Sequence, residues 1–376
     1  MKEKFRSIFF AFIIIVIAIS NIVKPDKLFS KKENRYLKEF PEINKEVILS
    51  GKFGEEFEEY TSDQFILRDK WITIKTITDL GMLKKDNGRV YFGKKDYLFE
   101  IDNKIDEKQF DKNIEAINSF SYNINQLDKD ISVSALLVPS KSEVLKDKLP
   151  EFAPIISEKN LFKKLDKFLS EKINVINPIA DFYDKSDDYI YYKTDHHWTS
   201  KGAYYGYKFF MENKNETPLG KDQFRIKSVT NDFLGTTYRK ANYYKGLPDT
   251  IDEYSYKDKI EYGIIVNQKE KVNSLYDESY LNETDKYSYF LGGNKAILEI
   301  NTSEKNGKSI LIIKDSFANS FIPFLLSHYE NIVVIDTRYF NKSIKEYIRE
   351  NEINEVLFLF NIKNFVNEKS IQILNK

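Results

Sequence analysis

Hydrophobic positions along the chain change period several times, and each change marks an element. Residues 7–23 form an uncharged run rich in Ile and Phe behind Lys2, Lys4 and Arg6. Such a run reads as a membrane-targeting segment with its amino terminus inside, close to the lower limit for a span, which needs about 20 residues. Ala18-Ile19-Ser20 is a weak cleavage signal, so a removed signal peptide is the alternative to an uncleaved anchor. Either way the remainder is expected outside the cytoplasmic membrane.

Residues 24–44 form a charged connector, and residues 54–83 carry apolar side chains at helical spacing, which predicts one long or broken amphipathic helix. From about Arg89 the pattern shortens to Val90-Tyr91-Phe92-Gly93 and Tyr97-Leu98-Phe99, two strands around a turn. A helix over 110–127, a strand over 133–138, a loop at Pro139 and a helix over 161–172 follow. Near the end, strands over 310–313, 332–335 and 356–360 alternate with helices over 317–327 and 344–349. Continuous apolar strands interleaved with helices predict a mostly parallel sheet covered on both faces, an α/β fold. Residues 224–289 lack that alternation and are rich in Tyr, Lys and Asp, which predicts a β-containing insert. The chain then divides into an anchor or signal segment (1–25), a connector with its helix (26–85) and a domain (86–376) carrying the insert.

Composition narrows the chemistry. At 376 residues and 41% hydrophobic, the chain can build a sizeable core. Its 58 basic and 58 acidic side chains cancel, leaving no electrostatic footprint for nucleic acid. The absence of cysteine excludes disulfides, thiolate metal sites and a Cys nucleophile. A location outside the membrane disfavours reactions on cytosolic nucleotides, and there is no phosphate-cradling glycine loop.

Two of the three histidines stand in Thr194-Asp195-His196-His197-Trp198-Thr199. If this segment is extended, Asp195 and His197 share a face, so the carboxylate can fix one ring nitrogen while the other acts as a base; His196 then faces the opposite way. An Asx-turn followed by a helix N-cap at Thr199 explains the same residues without chemistry. The segment Ser309-Ile310-Leu311-Ile312-Ile313-Lys314-Asp315-Ser316-Phe317 runs a buried strand into a serine, with Phe317, Phe321, Phe324 and Leu325 at helical spacing. That places Ser316 at a strand-to-helix turn on the carboxyl edge of a parallel sheet, where hydrolase nucleophiles are exposed. Capping by Asp315 or Ser316 is the plainer account, but it leaves the Asp195–His197 pair unexplained. A zinc site is disfavoured because adjacent histidines diverge and the remaining imidazole is His328, which is expected at a helix carboxyl end.

The run from Thr194 through Ser200-Lys201-Gly202-Ala203-Tyr204 resembles the signature of the DHHW protein family, relatives of SGNH-hydrolase-like alginate O-acetyltransferases. The likeness extends to Glu33-Asn34-Arg35-Tyr36-Leu37, Asp63-Gln64-Phe65-Ile66-Leu67-Arg68, Val138-Pro139-Ser140-Lys141-Ser142, Phe290-Leu291-Gly292-Gly293-Asn294 and Lys314-Asp315-Ser316-Phe317-Ala318-Asn319-Ser320. It implies an SGNH-hydrolase-like three-layer α/β/α fold and an Asp-x-His pair with a later serine, at Asp195, His197 and Ser316. Two departures stand out. His196 occupies a position that is often threonine in the acetyltransferases, so a second imidazole could share the base role. Lys314 stands where the serine motif would carry glycine.

The expected chemistry is acyl transfer through Ser316 activated by His197, with no cofactor and no metal. Gly293 and Asn294 are candidates for the oxyanion site. Lys141 and Arg338, both at carboxyl edges of strands, are candidates for substrate binding, and Tyr238, Tyr243, Tyr244, Tyr254, Tyr256 and Tyr262 could line a sugar surface. Three functions fit: an O-acetyltransferase acting on an exopolysaccharide or cell-wall glycan, supplied by a multi-pass membrane O-acyltransferase; a carbohydrate acetylesterase; and a non-catalytic polysaccharide-binding scaffold.

Overall fold

Alternation inside the apolar strands decides the architecture. Ile310, Ile312, Ile332, Val334, Leu357, Leu359, Leu136 and Val138 enter one hydrophobic cluster. Leu311, Ile313, Val333, Ile335, Val356, Phe358, Phe360, Val133, Ala135 and Leu137 enter a second. A strand with apolar residues at both parities must be covered on both faces, and that is the arrangement seen in this computed structural model. The structure describes residues 2–30, 35–101, 104–127, 131–242 and 247–376. The chain folds as two units, Met1–Arg89 with Tyr238–Gly246, and Val90–Thr237 with Leu247–Lys376.

The second unit is built on an eight-stranded sheet. Its strands lie in the order Glu270–Val272, Tyr262–Val266, Ile297–Thr302, Asn331–Ile335, Ser309–Lys314, Glu355–Asn361, Ser132–Val138 and Ile173–Ile176. The last five run parallel, and Ile297–Thr302 joins them antiparallel to Asn331–Ile335. The fold is therefore mixed α/β with a large, mostly parallel sheet. Helix Ser200–Asn213 supplies Ala203, Tyr207, Phe210 and Met211 to one cluster. Helices Glu107–Ile124, Glu158–Phe168, Ile344–Glu350 and Ile362–Asn367 cover the other.

The segment expected as a Tyr-rich insert divides. Phe224–Phe233 and Asp249–Tyr256 pair as a separate antiparallel hairpin, whereas Tyr262–Val266 and Glu270–Val272 extend the main sheet. Its tyrosines turn inward: Tyr254 stacks on Tyr204 and meets Phe324 edge-on, and Tyr256 and Tyr262 pack on the same cluster. The aromatic faces of these three are turned to the core, which corrects the sugar-lining role expected of them; Tyr238 is half-buried, and Tyr243 and Tyr244 lie outside the described residues.

The expected helix over 317–327 is also corrected. Two short 3-10 turns, Ser316–Ser320 and Ile322–Leu325, replace it, because Pro323 has no N–H to continue an α-helical ladder. His328 follows them as a half-buried neutral partner of the Tyr207 hydroxyl at 2.7 Å, its pKa held down to about 4 by desolvation rather than raised by a helix dipole.

In the first unit, helix Lys2–Val23 contains a stretch, Lys4–Val23, of mean hydropathy 2.3 that is long and apolar enough to cross a membrane. The amphipathic segment is broken into Lys52–Asp63 and Arg68–Gly81 at Gln64–Leu67, where Leu67 takes φ 54°. Phe40, Phe53, Phe57 and Tyr60 make an aromatic cluster there. Of the connector motif, Glu33 and Asn34 lie outside the described residues.

Candidate active site

Parallel strands collect loops at their carboxyl edge, and four of them meet here: those after Val138, Lys314, Ile335 and Asn361. Ser316 opens the turn after the central strand. Asp315 holds that turn, its Oδ1 accepting from the Phe317 N–H at 2.8 Å and its Oδ2 from the Asn361 N–H at 3.0 Å and Asn364 Nδ2 at 2.8 Å. Burial pushes the Asp315 carboxyl above its ordinary value.

The histidine segment is not a strand. It doubles back on itself, with a single bridge between Tyr191 and Trp198 and hydrogen bonds from the Thr199 N–H to the Ile190 carbonyl (2.9 Å) and from the Tyr192 N–H to the His197 carbonyl (3.2 Å). At its tip the turn and the pairing coexist. Asp195 Oδ1 accepts from the His197 backbone N–H at 3.0 Å and from His197 Nδ1 at 2.6 Å, and Thr199 caps the next helix by accepting from the Gly202 N–H at 3.2 Å. The Ser316 hydroxyl donates to His197 Nε2 at 2.7 Å. Residues 119 positions apart therefore form one hydroxyl–imidazole–carboxylate line.

Electrostatics favour the resting form of such a line. Burial by itself would raise the Asp195 carboxyl, but the two imidazoles and the hydrogen bonds from His197 hold it well below the usual carboxylate range. Burial, together with His196, lowers His197 to about 4 against the opposing pull of Asp195. At neutral pH the imidazole is uncharged, its Nδ1–H committed to Asp195 and its Nε2 lone pair to Ser316. The ring lies flat against Tyr287, with centroids 3.8 Å apart and planes 8° apart, and Trp198 docks the loop on the serine turn by donating from its indole N–H to the Phe317 carbonyl at 2.9 Å.

His196 departs from the expectation that it faces away. Its ring meets that of His197 at 3.9 Å with the planes tilted by 35°, and it lines a pocket of about 430 Å³ together with Asp315, Ser316, Arg338, Lys363, Asn364, Asn367 and Glu368. A doubled-back loop has no two-residue alternation to separate the two rings. His196 Nδ1 meets the Thr236 hydroxyl at 2.7 Å, and that hydroxyl donates to Asp195 Oδ2 at 2.9 Å, so Nδ1 is the donor to Thr236. Asp195, His196 and His197 offer donor atoms within 4.8 Å of one another, so the adjacent imidazoles do not diverge. A metal ion would have to displace hydrogen bonds that already occupy both Asp195 oxygens and both His197 nitrogens.

The other expected residues fall in different places. Arg338 lines the pocket while its Nε and Nη2 grip the buried Asp336 at 2.8 and 2.6 Å. Lys141 is buried, and its ammonium donates to the carbonyls of Tyr192, Lys193 and Asp195 at 2.9, 3.2 and 2.7 Å, which holds the histidine loop rather than facing the pocket. Gly293 takes φ 83° and spends its N–H on the Phe290 carbonyl at 3.2 Å. Asn294 Oδ1 accepts from Lys314 Nζ at 2.7 Å. Neither Gly293 nor Asn294 lines the pocket around Ser316. The Lys314 side chain leaves the site for this buried network, with Asn319 at 2.6 Å as its second partner.

Three supporting residues had no signal in the sequence. Asp249 accepts from the Lys193 and Thr194 N–H groups at 2.8 and 2.7 Å, Thr236 ties Asp195 to His196, and Gly235 leaves the room that Asp195 occupies. None sits in a periodic pattern or near a motif.

Fold and site together define an α/β protein with a serine–histidine–aspartate line at the carboxyl edge of parallel strands. The sequence model of the family described as DHHW protein matches residues 168–335, and this shows the resemblance read from the signature. A DHHW family protein from Eubacterium siraeum is similar in structure, with a TM-score of 0.64, 25% identity, and coverage of 74% of this chain and 92% of that one. Bacillus cereus PatB1, solved with a sulfonyl adduct, has a TM-score of 0.63 at 23% identity, over 74% of this chain and 96% of that one. The O-acetyltransferase domain of Pseudomonas putida AlgJ is less similar, at a TM-score of 0.48 and 14% identity over 76% of this chain and 99% of that one. Among curated proteins, none matches the chain.

Proposed function

We propose that the protein is an extracytoplasmic O-acetyltransferase that acylates a hydroxyl of a cell-wall glycan or exopolysaccharide through an acyl-Ser316 intermediate. The observation that carries this reading is the continuous line from Ser316 Oγ through His197 to Asp195, with links of 2.7 and 2.6 Å. His197 takes the Ser316 proton as Oγ attacks the acetyl carbonyl, and returns it to the donor's leaving group as that bond breaks. A sugar hydroxyl then attacks the acyl-serine, passing its own proton to His197, which returns it to Ser316 Oγ as the acyl–oxygen bond to the serine breaks. The oxyanion is met by the Ser316 backbone N–H and by Asn364, which lines the same pocket, while Asn294 acts one layer back by fixing Lys314. The apolar helix anchors the chain, and a multi-pass acyltransferase delivers the acetyl group across the bilayer.

The test uses a sulfonyl fluoride, the reagent class suggested by the adduct on the PatB1 structure. The wild-type protein should be labelled at Ser316 and should transfer acetyl from a small ester to a glycan. Ser316→Ala should lose both while melting at the same temperature. Acetate release without a glycan acceptor assigns the esterase direction. A wild-type protein that resists the reagent, or a Ser316→Ala variant that retains transfer, removes the mechanism.

A further inference from the structure

The end of the apolar helix is fastened to a corner whose own apolar side chains are exposed among the described residues. Asn21 Oδ1 accepts from the Ile66 N–H at 2.7 Å, and Lys24 Nζ donates to the Gln64 carbonyl at 2.8 Å. The Gln64 amide, itself buried, closes the join by accepting from the Lys27 N–H at 3.0 Å and donating to the Lys27 carbonyl at 2.9 Å. At this corner Leu67 is 57% exposed, and one turn and two turns further along helix Arg68–Gly81 are Trp71 at 50% and Ile74 at 53%. Trp71 and Ile74, three apart, lie on one helical face, Leu67 is the exposed residue just before the helix and Phe65 is exposed two residues earlier, so the corner carries an apolar stripe. Leu67 also holds a left-handed φ of 54°, a strained conformation for a bulky residue, with its side chain in the open.

We propose that this stripe is a second membrane contact, lying in the interfacial layer of the same bilayer that the helix crosses. The inference rests on the anchor reading above. Asn21 is two residues before the helix end at Val23, about 3 Å along the axis, so a segment bonded to it directly sits at the bilayer surface whatever the tilt. Tryptophan with leucine and isoleucine, next to lysines such as Lys24 and Lys70, is the composition that the interfacial region favours. The occupant is lipid; a second copy of the chain, or a membrane protein, is an alternative that the test distinguishes.

The chain has two tryptophans, and Trp198 is fully buried, so the difference in fluorescence between the wild-type protein and Trp71→Phe isolates Trp71. The full-length protein is placed in nanodiscs with lipids brominated near the head-group end of the acyl chains. Trp71 emission should fall about twofold relative to unbrominated lipid and should become resistant to acrylamide. In parallel, Phe12→Trp in the Trp71→Phe background reports insertion of the helix itself. Quenching at position 12 without quenching at 71 overturns the proposal and leaves the anchor standing, with acrylamide resistance at 71 then indicating a protein neighbour. No quenching at either position overturns both.

Discussion

At the scale of single residues, the site depends on one position with no functional group. A Cβ added to Gly235 would lie 2.2 Å from the Asp195 Cβ and 2.4 Å from its Oδ2, so any side chain there must push the carboxylate away from His197. Misplacing a catalytic group by about 1 Å costs on the order of a hundredfold in rate. Gly235→Ala is therefore expected to cut kcat by about that factor while every member of the Ser316–His197–Asp195 line is still present. Steady-state kinetics beside a melting curve checks it, and a variant with wild-type kcat would show that the carboxylate has slack. Nothing in the sequence marks this glycine. The aspartate, histidine and serine could be read from their residue types because such a set has few other uses, whereas Gly235 matters only through a contact across 40 positions. The side-chain direction of His196 was equally hidden: it follows from the doubling back of the loop, which no two-residue rule describes.

Among the elements, the loop holding the histidines owes its shape to groups outside it. Lys141 offers three N–H donors to three carbonyls of that loop, and Asp249 receives two of its N–H groups from the other side. Burial lowers the Lys141 pKa to about 8, against the pull of Asp249 and Asp195. Below that value the ammonium satisfies all three carbonyls; above it the neutral amine has one donor too few. Activity should decline on the alkaline side with a midpoint near 8, and the acid limb should lie near 4, where His197 takes up its proton. Lys141→Met should speed amide hydrogen exchange over 190–199 and lower kcat with little change in KM. Unchanged exchange in that segment would mean that the loop holds itself. The sequence read Lys141 as substrate-binding, because a cation after a strand's carboxyl end reads so unless its burial and its carbonyl partners are known. The four central parallel strands were readable almost to the residue, since their apolar runs serve two faces at once, whereas Ile173–Ile176 and Ile297–Thr302 were not read. The expected helix after Ser316 was not, because Pro323 and the fully buried Phe317, Phe321 and Phe324 turn that segment into a core plug.

For the whole molecule, two desolvated imidazoles, one buried and one half-buried, make stability depend on acidity. His197 and His328 are both held to about 4, mainly by burial, while an unfolded chain binds a proton at each near the ordinary value of 6.5. Between those values the unfolded state carries more protons, so stability falls as pH drops from about 6.5 to 4. Glu158 opposes this. Burial raises it to about 7 from its ordinary value near 4.5, so across most of the same window acidification favours the folded state. A comparison of variants cancels that contribution. His328→Gln keeps an acceptor for the Tyr207 hydroxyl and removes one titrating group that does not line the pocket at Ser316, while His197 and Glu158 remain. Its urea midpoint should therefore fall less than that of the wild-type protein between pH 7 and pH 4.5, with the two proteins closest in stability at the acid end. Parallel loss in both would mean that His328 is already free to take up a proton in the folded state. The acid sensitivity would then belong to His197, where proton uptake disables the nucleophile before it unfolds the chain.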